Sequence, residues 1–319
     1  MRLRKGGHRV SFIAITRSER EQTEDVYYPG NSLQLLQTIA RIRPDVVHLH
    51  LGGNFTLRLA LLCAVVGLWP GMRSVLTFHS GGFPSSPRGQ RAGYWTFEGF
   101  AVRTVDHVVA VNVEIADVFR RYGIAEERLS VVAPYARLDK STIAASLPDA
   151  LGEFKRAHTP LFLSVGLLES EYCLELQIDA MELLRQEWPQ AGLVIIGSGS
   201  LEEALRQRVA NSPSSSHILM TGNVPHRYTL RAIAEADVLL RTTAYDGDAV
   251  SVREAVQIGT PVVASNTCLR PRGVHVMRAL TVEALVQSCQ VALSVPAIAD
   301  AESDRDELDR IETFYVSAT

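Results

Sequence analysis

Two acidic residues in the carboxyl-terminal half of the chain are spaced so that both can face one ligand. Asp246 and Glu254 stand at the ends of the segment DGDAVSVRE, with seven residues between them. The pattern predicts a helix that begins just after Asp246, with Glu254 two turns into it. The backbone amides of Asp248, Ala249 and Val250 then lie at the helix N-terminus, which attracts anions. This segment is the first candidate for contact with an anionic ligand.

Small residues follow two strand-like runs in the same half. Gly166 comes directly after Leu161 to Val165, and Gly197 and Gly199 come directly after Leu193 to Ile196. Turns of this kind expose backbone amides to a phosphate. The third glycine of a complete dinucleotide fingerprint is absent, however, so an ordinary structural turn is an equal alternative at these positions.

Strand-like and helix-like segments alternate along the chain and must position these residues. The predicted strands are Val10 to Ile15, Asp45 to Leu49, Ser74 to Phe78, His107 to Val111, Leu129 to Val132, Leu161 to Val165, Leu193 to Ile196, His217 to Met220, Asp237 to Leu240 and Pro261 to Ala264. The helical period recurs between them, as in Ser32 to Ile42 and Leu174 to Glu187. This alternation predicts an α/β protein with doubly wound parallel sheets, whose ligands bind outside the carboxyl ends of the strands.

The periodicity fades between Tyr135 and Thr159 and then restarts, which predicts a domain boundary there. We expect an amino-terminal Rossmann-like domain over residues 1–150, a second Rossmann-like domain over 151–300 and a terminal helix over 301–319. A length of 319 residues suits two domains of this kind.

Composition excludes several classes of partner. The chain has 32 basic and 35 acidic residues and a net charge of −3, so no nucleic-acid partner is expected. Its four cysteines are far apart in sequence, which disfavours a disulfide framework or a zinc ribbon and fits the cytoplasm. His48 and His50 lie on one face of a strand, but no third ligand with suitable spacing follows, so no metal is expected.

The sequence also limits the association with membranes. The amino terminus is basic but has no secretory signal pattern, and the longest apolar run, Leu59 to Trp69, is too short to cross a bilayer. Peripheral contact with the inner face of the membrane stays open. Oligomeric state cannot be inferred from these patterns.

The acidic segment and several other blocks together resemble glycosyltransferase family 4, also called group 1. The segment D-G-D-A-V-S-V-R-E-A-x-x-x-G-T-P-V-V-A-S matches the acid-x7-acid motif of that family, with Asp246 in place of the usual first glutamate. The further blocks occur in family order and are PDVVHLH (44–50), LTFHSGG (76–82), VDHVVAVN (105–112), RLSVVAPY (128–135) and VIIGSGS (194–200).

The resemblance implies a GT-B fold, in which two Rossmann-like domains face a central cleft. It further implies a retaining transfer of a hexose from a nucleoside diphosphate sugar to an acceptor hydroxyl, without a metal cofactor, in glycan, glycolipid or polysaccharide biosynthesis. Asp246 is then expected beside the donor sugar, Glu254 beside the nucleotide ribose, and His79 opposite the sugar across the cleft. Gly166, Gly197, Gly199 and the amides of residues 248–250 are the other expected donor contacts.

Two departures from the family pattern bear on activity. Leu167 and Tyr172 stand where the family usually has an arginine and a lysine for the donor diphosphate. The candidates to compensate are the helix amides of residues 248–250 and Arg241 at a strand end, and the less well placed cations are Arg253, Arg270 and Arg272. In addition, the first strand and its glycine-rich loop have no counterpart before Val10, so we expect either a late start or a rearranged amino-terminal domain. A homologue that only binds a nucleotide sugar or a partner enzyme is therefore the alternative function.

Other enzyme classes lack support. The sequence contains no Walker A, H-E-x-x-H or G-x-S-x-G motif, and it lacks the complete glycine fingerprint of a dinucleotide-dependent oxidoreductase.

Overall fold

A computed structural model describes residues 2–15, 25–132, 138, 142–267, 270–295, 311 and 313–315. In the amino-terminal half its elements are α1 (Arg2–Lys5), β1 (Phe12–Ile13), β2 (Val26–Tyr27), α2 (Ser32–Ile42), β3 (Val46–Leu51), α3 (Leu57–Gly67), β4 (Arg73–Phe78), α4 (Pro87–Gln90), α5 (Phe97–Arg103), β5 (His107–Ala110), α6 (Val113–Arg121) and β6 (Leu129–Val131). In the carboxyl-terminal half they are α7 (Asp149–Ala157), β7 (Leu161–Val165), α8 (Leu174–Glu187), β8 (Gly192–Ile196), α9 (Glu202–Asn211), β9 (Ile218–Gly222), α10 (His226–Glu235), β10 (Val238–Arg241), α11 (Val250–Ile258), β11 (Val262–Ser265), β12 (Val274–Met277) and α12 (Val282–Ser294).

Two parallel sheets organise the molecule. Strands β3, β4, β5 and β6 pair in that order in the amino-terminal sheet, while β1 and β2 form a separate parallel pair. The carboxyl-terminal sheet has the order β12-β11-β10-β7-β8-β9. Strand order reverses between β7 and β10, so the carboxyl ends of these two central strands define the crevice in which a doubly wound sheet binds ligands. The predicted α/β class with two Rossmann-like sheets is confirmed.

The central strands are apolar along their whole length because helices cover both faces of the sheet. All five residues of β8 are buried, as are four of the five in β7. Burial on both faces leaves no room for the polar alternation of a one-sided sheet. Each of these strands therefore ends abruptly where polar and small residues begin, and those residues form the loops of the crevice.

Local capping fixes several helix starts next to these loops. The side chain of Asn112 accepts a hydrogen bond from the amide of Ile115 (2.9 Å), and Thr56 and Thr96 cap α3 and α5 in the same manner. The segment predicted to be an irregular boundary contains one further helix, α7, which begins after Pro148. Proline suits this position because a helix does not use its first amides.

The end of the chain packs on the amino-terminal sheet. Ile311, Phe314 and Tyr315 lie against a buried cluster of Val75, Val109 and Val132. The ring of Phe314 stacks on His107 with 4.0 Å between ring centres. Most of the predicted terminal helix, residues 301–310, 312 and 316–319, lies outside the described residues.

Candidate functional site

Asp246 is the centre of a buried cluster of charges at the carboxyl end of β10. Its carboxylate accepts hydrogen bonds from Arg241 Nε (2.9 Å) and Nη2 (3.2 Å) and from Arg270 Nη1 (3.0 Å). The exposed fractions of the three side chains are 7% for Asp246, 11% for Arg241 and 4% for Arg270. Two guanidinium groups thus share one carboxylate, and the group of three carries an excess positive charge. We call these residues the arginine–aspartate cluster.

Burial by itself raises the pKa of Asp246, but the charges and hydrogen bonds of Arg241 and Arg270 outweigh it. The pKa of the carboxyl therefore lies below its ordinary value, and Asp246 is ionised at neutral pH. The excess positive charge of the cluster is consequently a fixed property of the folded protein.

Tyr172 and Gly166 hold Arg241 in place. The guanidinium carbon of Arg241 lies 4.6 Å from the centre of the Tyr172 ring, a cation–π contact, and Nη1 donates to the carbonyl of Val165 (3.3 Å). A Cβ on Gly166 would come within 2.1 Å of the same ring. Tyr172 stands where the family pattern leads us to expect a lysine, and its ring orients Arg241 from another strand. Leu167, at the expected position of the arginine, is 55% exposed.

Arg270 is anchored by groups that follow β11. Its Nε donates to the carbonyl of Ser265 (3.1 Å) and its Nη2 to Thr267 Oγ1 (3.1 Å). The sequence placed Arg270 behind Arg241 as a candidate cation, because Arg270 lies in a loop of no recognisable period and 24 residues from Asp246.

The helix after this loop carries the second acid. Helix α11 begins at Val250, and its cap residue, Ala249, has no side chain that could bond the first amides. Asp248 is drawn away from those amides by Arg253, whose Nε donates to it at 2.9 Å. Glu254 is buried and its Oε1 lies 2.7 Å from His226 Nε2. Burial raises the pKa of Glu254, and His226 opposes this shift only in part.

The glycine turns are occupied by contacts within the protein. The amide of Gly166 donates to the carbonyl of Ile196 (3.1 Å), and that of Gly197 donates to Gly222 (3.0 Å). A Cβ on Gly197 would lie 1.8 Å from the Gly166 oxygen, and one on Gly199 would lie 2.4 Å from the Leu168 oxygen. Both amides thus have partners within the protein, as the alternative of a structural turn predicts, and the contact of these glycines with a phosphate stays a prediction.

Glu169 occupies the second glycine turn as well. Its Oε1 accepts from the amide of Ser200 at 2.8 Å, next to the start of α9. An internal carboxylate thus binds an amide of the turn for which phosphate contact and a structural role were equal alternatives. The predicted contacts of Gly166, Gly197 and Gly199 with the sugar donor remain predictions. The neighbouring amide of Ser200 cannot bind a phosphate while it donates to Glu169.

His79 lies on the opposite side of the crevice, directly after β4. Its Nε2 is 3.1 Å from His50 Nδ1, and the centre of the His50 ring lies 4.1 Å from that of His48, with the two rings tilted by 34°. His48 in turn bonds Thr77 Oγ1 through Nε2 (2.6 Å) and the hydroxyl of Tyr315 through Nδ1. The alternation of His48 and His50 along one strand predicted their common face, but it did not reveal that His79 joins them.

All three imidazoles are neutral at physiological pH. Loss of hydration in the crevice lowers the pKa of His79 to about 4 and that of His48 to about 3, and charge repulsion between the rings acts in the same direction. Burial also lowers the pKa of His50. These rings can therefore exchange hydrogen bonds with a ligand without carrying a charge.

The loops that carry His79 and Asp246 touch each other. A Cβ on Gly81 would lie 2.0 Å from the carbonyl carbon of Asp246, and one on Gly247 would lie 2.4 Å from the His79 oxygen. The buried side chain of Asn112 donates to the carbonyl of Gly247 at 2.7 Å. The two domains thus bring His79, Asp246 and the start of α11 into one cleft between their sheets.

Within the described residues, no group of three or more histidine, cysteine, aspartate or glutamate side chains has the arrangement needed to hold a metal ion. The same part of the chain contains no helix that is both long and apolar enough to cross a membrane.

Two family models match the chain. "Glycosyl transferases group 1" matches residues 152–313, and "Glycosyltransferase Family 4" matches residues 1–139. The amylovoran biosynthesis glycosyltransferase AmsK of Erwinia amylovora is 35% identical over 150 residues, which are 45% of this chain and 35% of AmsK. A glycogen synthase of Mycobacterium tuberculosis is 27% identical over 252 residues, or 74% of this chain and 56% of the synthase. The chain thus spans about a third to a half of the length of these relatives.

Solved structures show the same fold. Anabaena HepE, in a complex with UDP and glucose, superposes with a TM-score of 0.61 at 15% identity, over 90% of this chain and 85% of its own. The trehalose-6-phosphate synthase OtsA gives 0.67 at 12% identity, over 89% and 71%. The chain therefore belongs to the group 1, family 4 glycosyltransferases and has their two-domain GT-B fold.

Proposed function

We propose that this protein is a retaining glycosyltransferase that moves a hexose from a nucleoside diphosphate sugar to an acceptor hydroxyl. The pathway would be glycan, glycolipid or polysaccharide biosynthesis, on the cytoplasmic side of the cell. The observation that carries the proposal is the arginine–aspartate cluster, which places an excess of buried positive charge beside the acid pair of the family motif.

An excess buried charge is costly without a partner, because the protein interior solvates ions poorly. A donor diphosphate is a partner of the right charge, and transfer increases its charge further as the sugar departs. Arg241 and Arg270 each retain guanidinium hydrogens beyond those used in the contacts described. They can therefore serve in place of the cations missing at Leu167 and Tyr172 and stabilise the departing diphosphate electrostatically.

Helix α11 can supply the remaining contacts to the nucleotide sugar. The uncapped amides at its N-terminus offer further donors to a phosphate, and the buried carboxylate of Glu254 can accept hydrogen bonds from ribose hydroxyls. The solved HepE structure is a complex with UDP and glucose, so UDP-glucose is the first donor to test. Nothing in the described residues requires a metal for this arrangement, and we propose that none takes part.

His79 completes the cleft on the acceptor side. In the reaction, the bond from the anomeric carbon to the diphosphate oxygen breaks and a bond to the acceptor oxygen forms on the same face of the sugar. The proton of the acceptor hydroxyl passes to the departing diphosphate oxygen, and the nucleoside diphosphate leaves. A neutral His79 can hold a sugar hydroxyl during this step, and we propose that it does so without acting as a cation.

The test is a transfer and hydrolysis assay with UDP-, GDP- and ADP-hexoses, combined with thermal shift for each nucleotide sugar. One donor should raise the melting temperature and be consumed, and its product should keep the anomeric configuration. At 100 times its Kd such a donor adds about 2.7 kcal/mol of stability. Stabilisation by a donor that is never consumed, with a range of sugar acceptors present, would instead support a homologue that only binds. The absence of stabilisation by every donor would refute both.

A further inference from the structure

The outer surface of the amino-terminal domain carries an apolar patch that its fold does not bury. It consists of six exposed side chains, namely Leu57 and Leu61 on α3, Leu68 directly after α3, Trp95 just before α5, and Phe97 and Phe100 on α5. Trp95 is 93% exposed. We call this set the α3–α5 face.

The two helices present these side chains on one continuous surface. A Cβ on Gly67, at the end of α3, would lie 2.4 Å from Thr104 Oγ1, so the helices run side by side. Leu57 and Leu61 are four residues apart, which places them on one stripe of α3, and Leu68 follows the last residue of that helix. The opposite side of α3, which carries Ala60, Cys63 and Val66, is buried in the domain core.

The most exposed ring is held in position. Trp95 meets the ring of Tyr94 edge-on at 5.0 Å, and Tyr94 is fixed by Arg103, whose guanidinium carbon lies 3.8 Å from the ring centre. Arg103 Nη1 also donates to the Tyr94 carbonyl at 2.7 Å. Trp95 therefore projects from a supported turn, which lowers the entropy lost when it inserts into a partner.

The segment that carries this face is rich in positive charge. Between Leu51 and Val105 the chain has five arginines and one glutamate, although the whole chain has a net charge of −3. Three of these arginines, Arg58, Arg88 and Arg91, are exposed, whereas Arg103 is bound to Tyr94. Apolar and aromatic groups flanked by arginines are the pattern of a surface that lies on an anionic bilayer.

We propose that the α3–α5 face binds the surface of an anionic membrane, with Trp95, Phe97 and Phe100 inserted among the lipid headgroups. A second copy of the chain is a poorer occupant, because a symmetric contact would bring the two arginine-rich surfaces together. This inference goes beyond the proposed function and does not depend on it, since membrane binding requires neither a donor nor transfer.

The experiment is co-sedimentation of the full chain with vesicles of phosphatidylcholine alone and with vesicles in which phosphatidylglycerol replaces part of it. Binding should appear only with phosphatidylglycerol and should weaken as salt rises. Trp95→Ser and Phe100→Ser should each weaken it roughly tenfold or more, from the apolar area lost. Arg58→Gln and Arg91→Gln should each cost about fivefold.

Val291→Ser, at an exposed apolar position on α12 of the other domain, is the matched control and should bind like the unaltered chain. Trp95→Phe should keep binding but lose most of the blue shift of tryptophan fluorescence that vesicles induce. Equal binding to both kinds of vesicle, or binding that survives Trp95→Ser with Phe100→Ser, would overturn the proposal. A dimer in sedimentation that these two substitutions dissolve, without vesicle binding, would assign the face to a second copy and overturn it as well.

Discussion

The two walls of the cleft handle buried ionisable groups in opposite ways. On the carboxyl-terminal wall, Arg241, Arg270 and Asp246 keep their charges and compensate one another by direct hydrogen bonds. On the amino-terminal wall, His48, His50 and His79 lie against one another and give up their charges, with pKa values depressed by lost hydration. The difference follows from chemistry, because an imidazole can lose its proton near neutral pH and a guanidinium cannot.

This contrast suggests a division of labour. The wall with fixed charges suits a charged ligand group such as a diphosphate, whose position it can set before the reaction begins. The neutral wall suits hydroxyl groups, which need hydrogen-bond partners but gain little from a full charge. Loops from both walls meet at Gly81 and Asp246, so a donor and an acceptor placed between them would be held at close range.

The largest effect is expected from breaking the charged wall at its centre. Asp246→Asn leaves two buried guanidinium groups without their carboxylate, which should cost about 3–5 kcal/mol of unfolding free energy in urea titrations. Turnover should fall on the order of a hundredfold or more. Asp117→Asn removes a carboxylate from an exposed pair with Arg120 and should cost under about 1 kcal/mol. Similar losses for the two variants would contradict the assignment of the buried cluster.

A substitution in the neutral wall should lower the turnover rate more than the stability of the fold. His79→Ala removes a cleft side chain whose edge is open to solvent, so turnover should drop on the order of a hundredfold while the melting temperature changes little. His8→Ala, in the exposed amino-terminal segment, is the control. An unchanged rate for His79→Ala in an active preparation would remove His79 from the site.

A smaller effect distinguishes the two acidic regions of the carboxyl-terminal wall. Glu254→Gln should weaken binding of the nucleotide sugar roughly tenfold, as expected for the loss of a charge-assisted hydrogen bond, measured by calorimetry. Glu171→Gln should leave the affinity nearly unchanged. Glu169→Gln should act through the Ser200 turn and weaken it less than Glu254→Gln does. Equal losses at all three positions would reject the acid pair as the donor site.

The last effect is absent at neutral pH and develops only in acid. The histidines bind protons more weakly in the folded than in the unfolded state, so unfolding takes up protons once the pH falls below the ordinary histidine value of 6.5. Stability should therefore decline from pH 6.5 toward pH 4, by at most about 1.4 kcal/mol per pH unit for each group. His48→Gln should flatten this decline in melting curves recorded against pH. A variant that follows the same curve as the unaltered chain would show that His48 does not contribute.

The sequence predicted the fold class and most strands, but not β2 or β12, and it singled out the acid pair of the candidate site. Strand and helix periods placed β7, β8 and β10 correctly because these strands are buried on both faces and read as continuous apolar runs. The acid pair could be found because its two members lie on one short segment. Helix α7 was missed, since its short length and the surrounding prolines and glycines obscured its period.

The other half of the site depends on contacts between distant segments. Arg270 reaches Asp246 from the loop after β11, and Tyr172 supports Arg241 from the loop after β7. Neither contact can be recognised from the spacing of residues in the sequence, because each depends on the order of strands in the sheet. The glycine turns are the opposite case, because their local sequence pattern was easy to recognise. That pattern suggested a phosphate contact, whereas the close approach of Gly197 to Gly166 explains why small residues occur there.

The most direct test of the arginine–aspartate cluster as the diphosphate site is calorimetric titration with UDP, GDP and ADP. Arg241→Gln and Arg270→Gln should each weaken the best of these ligands tenfold or more, because each removes a charge-assisted contact while Asp246 keeps one arginine partner. Arg272→Gln, two residues from Arg270 and exposed, should leave the affinity within about threefold and serves as the control. Undiminished binding in both cluster variants, with melting temperatures showing that they are folded, would contradict the account.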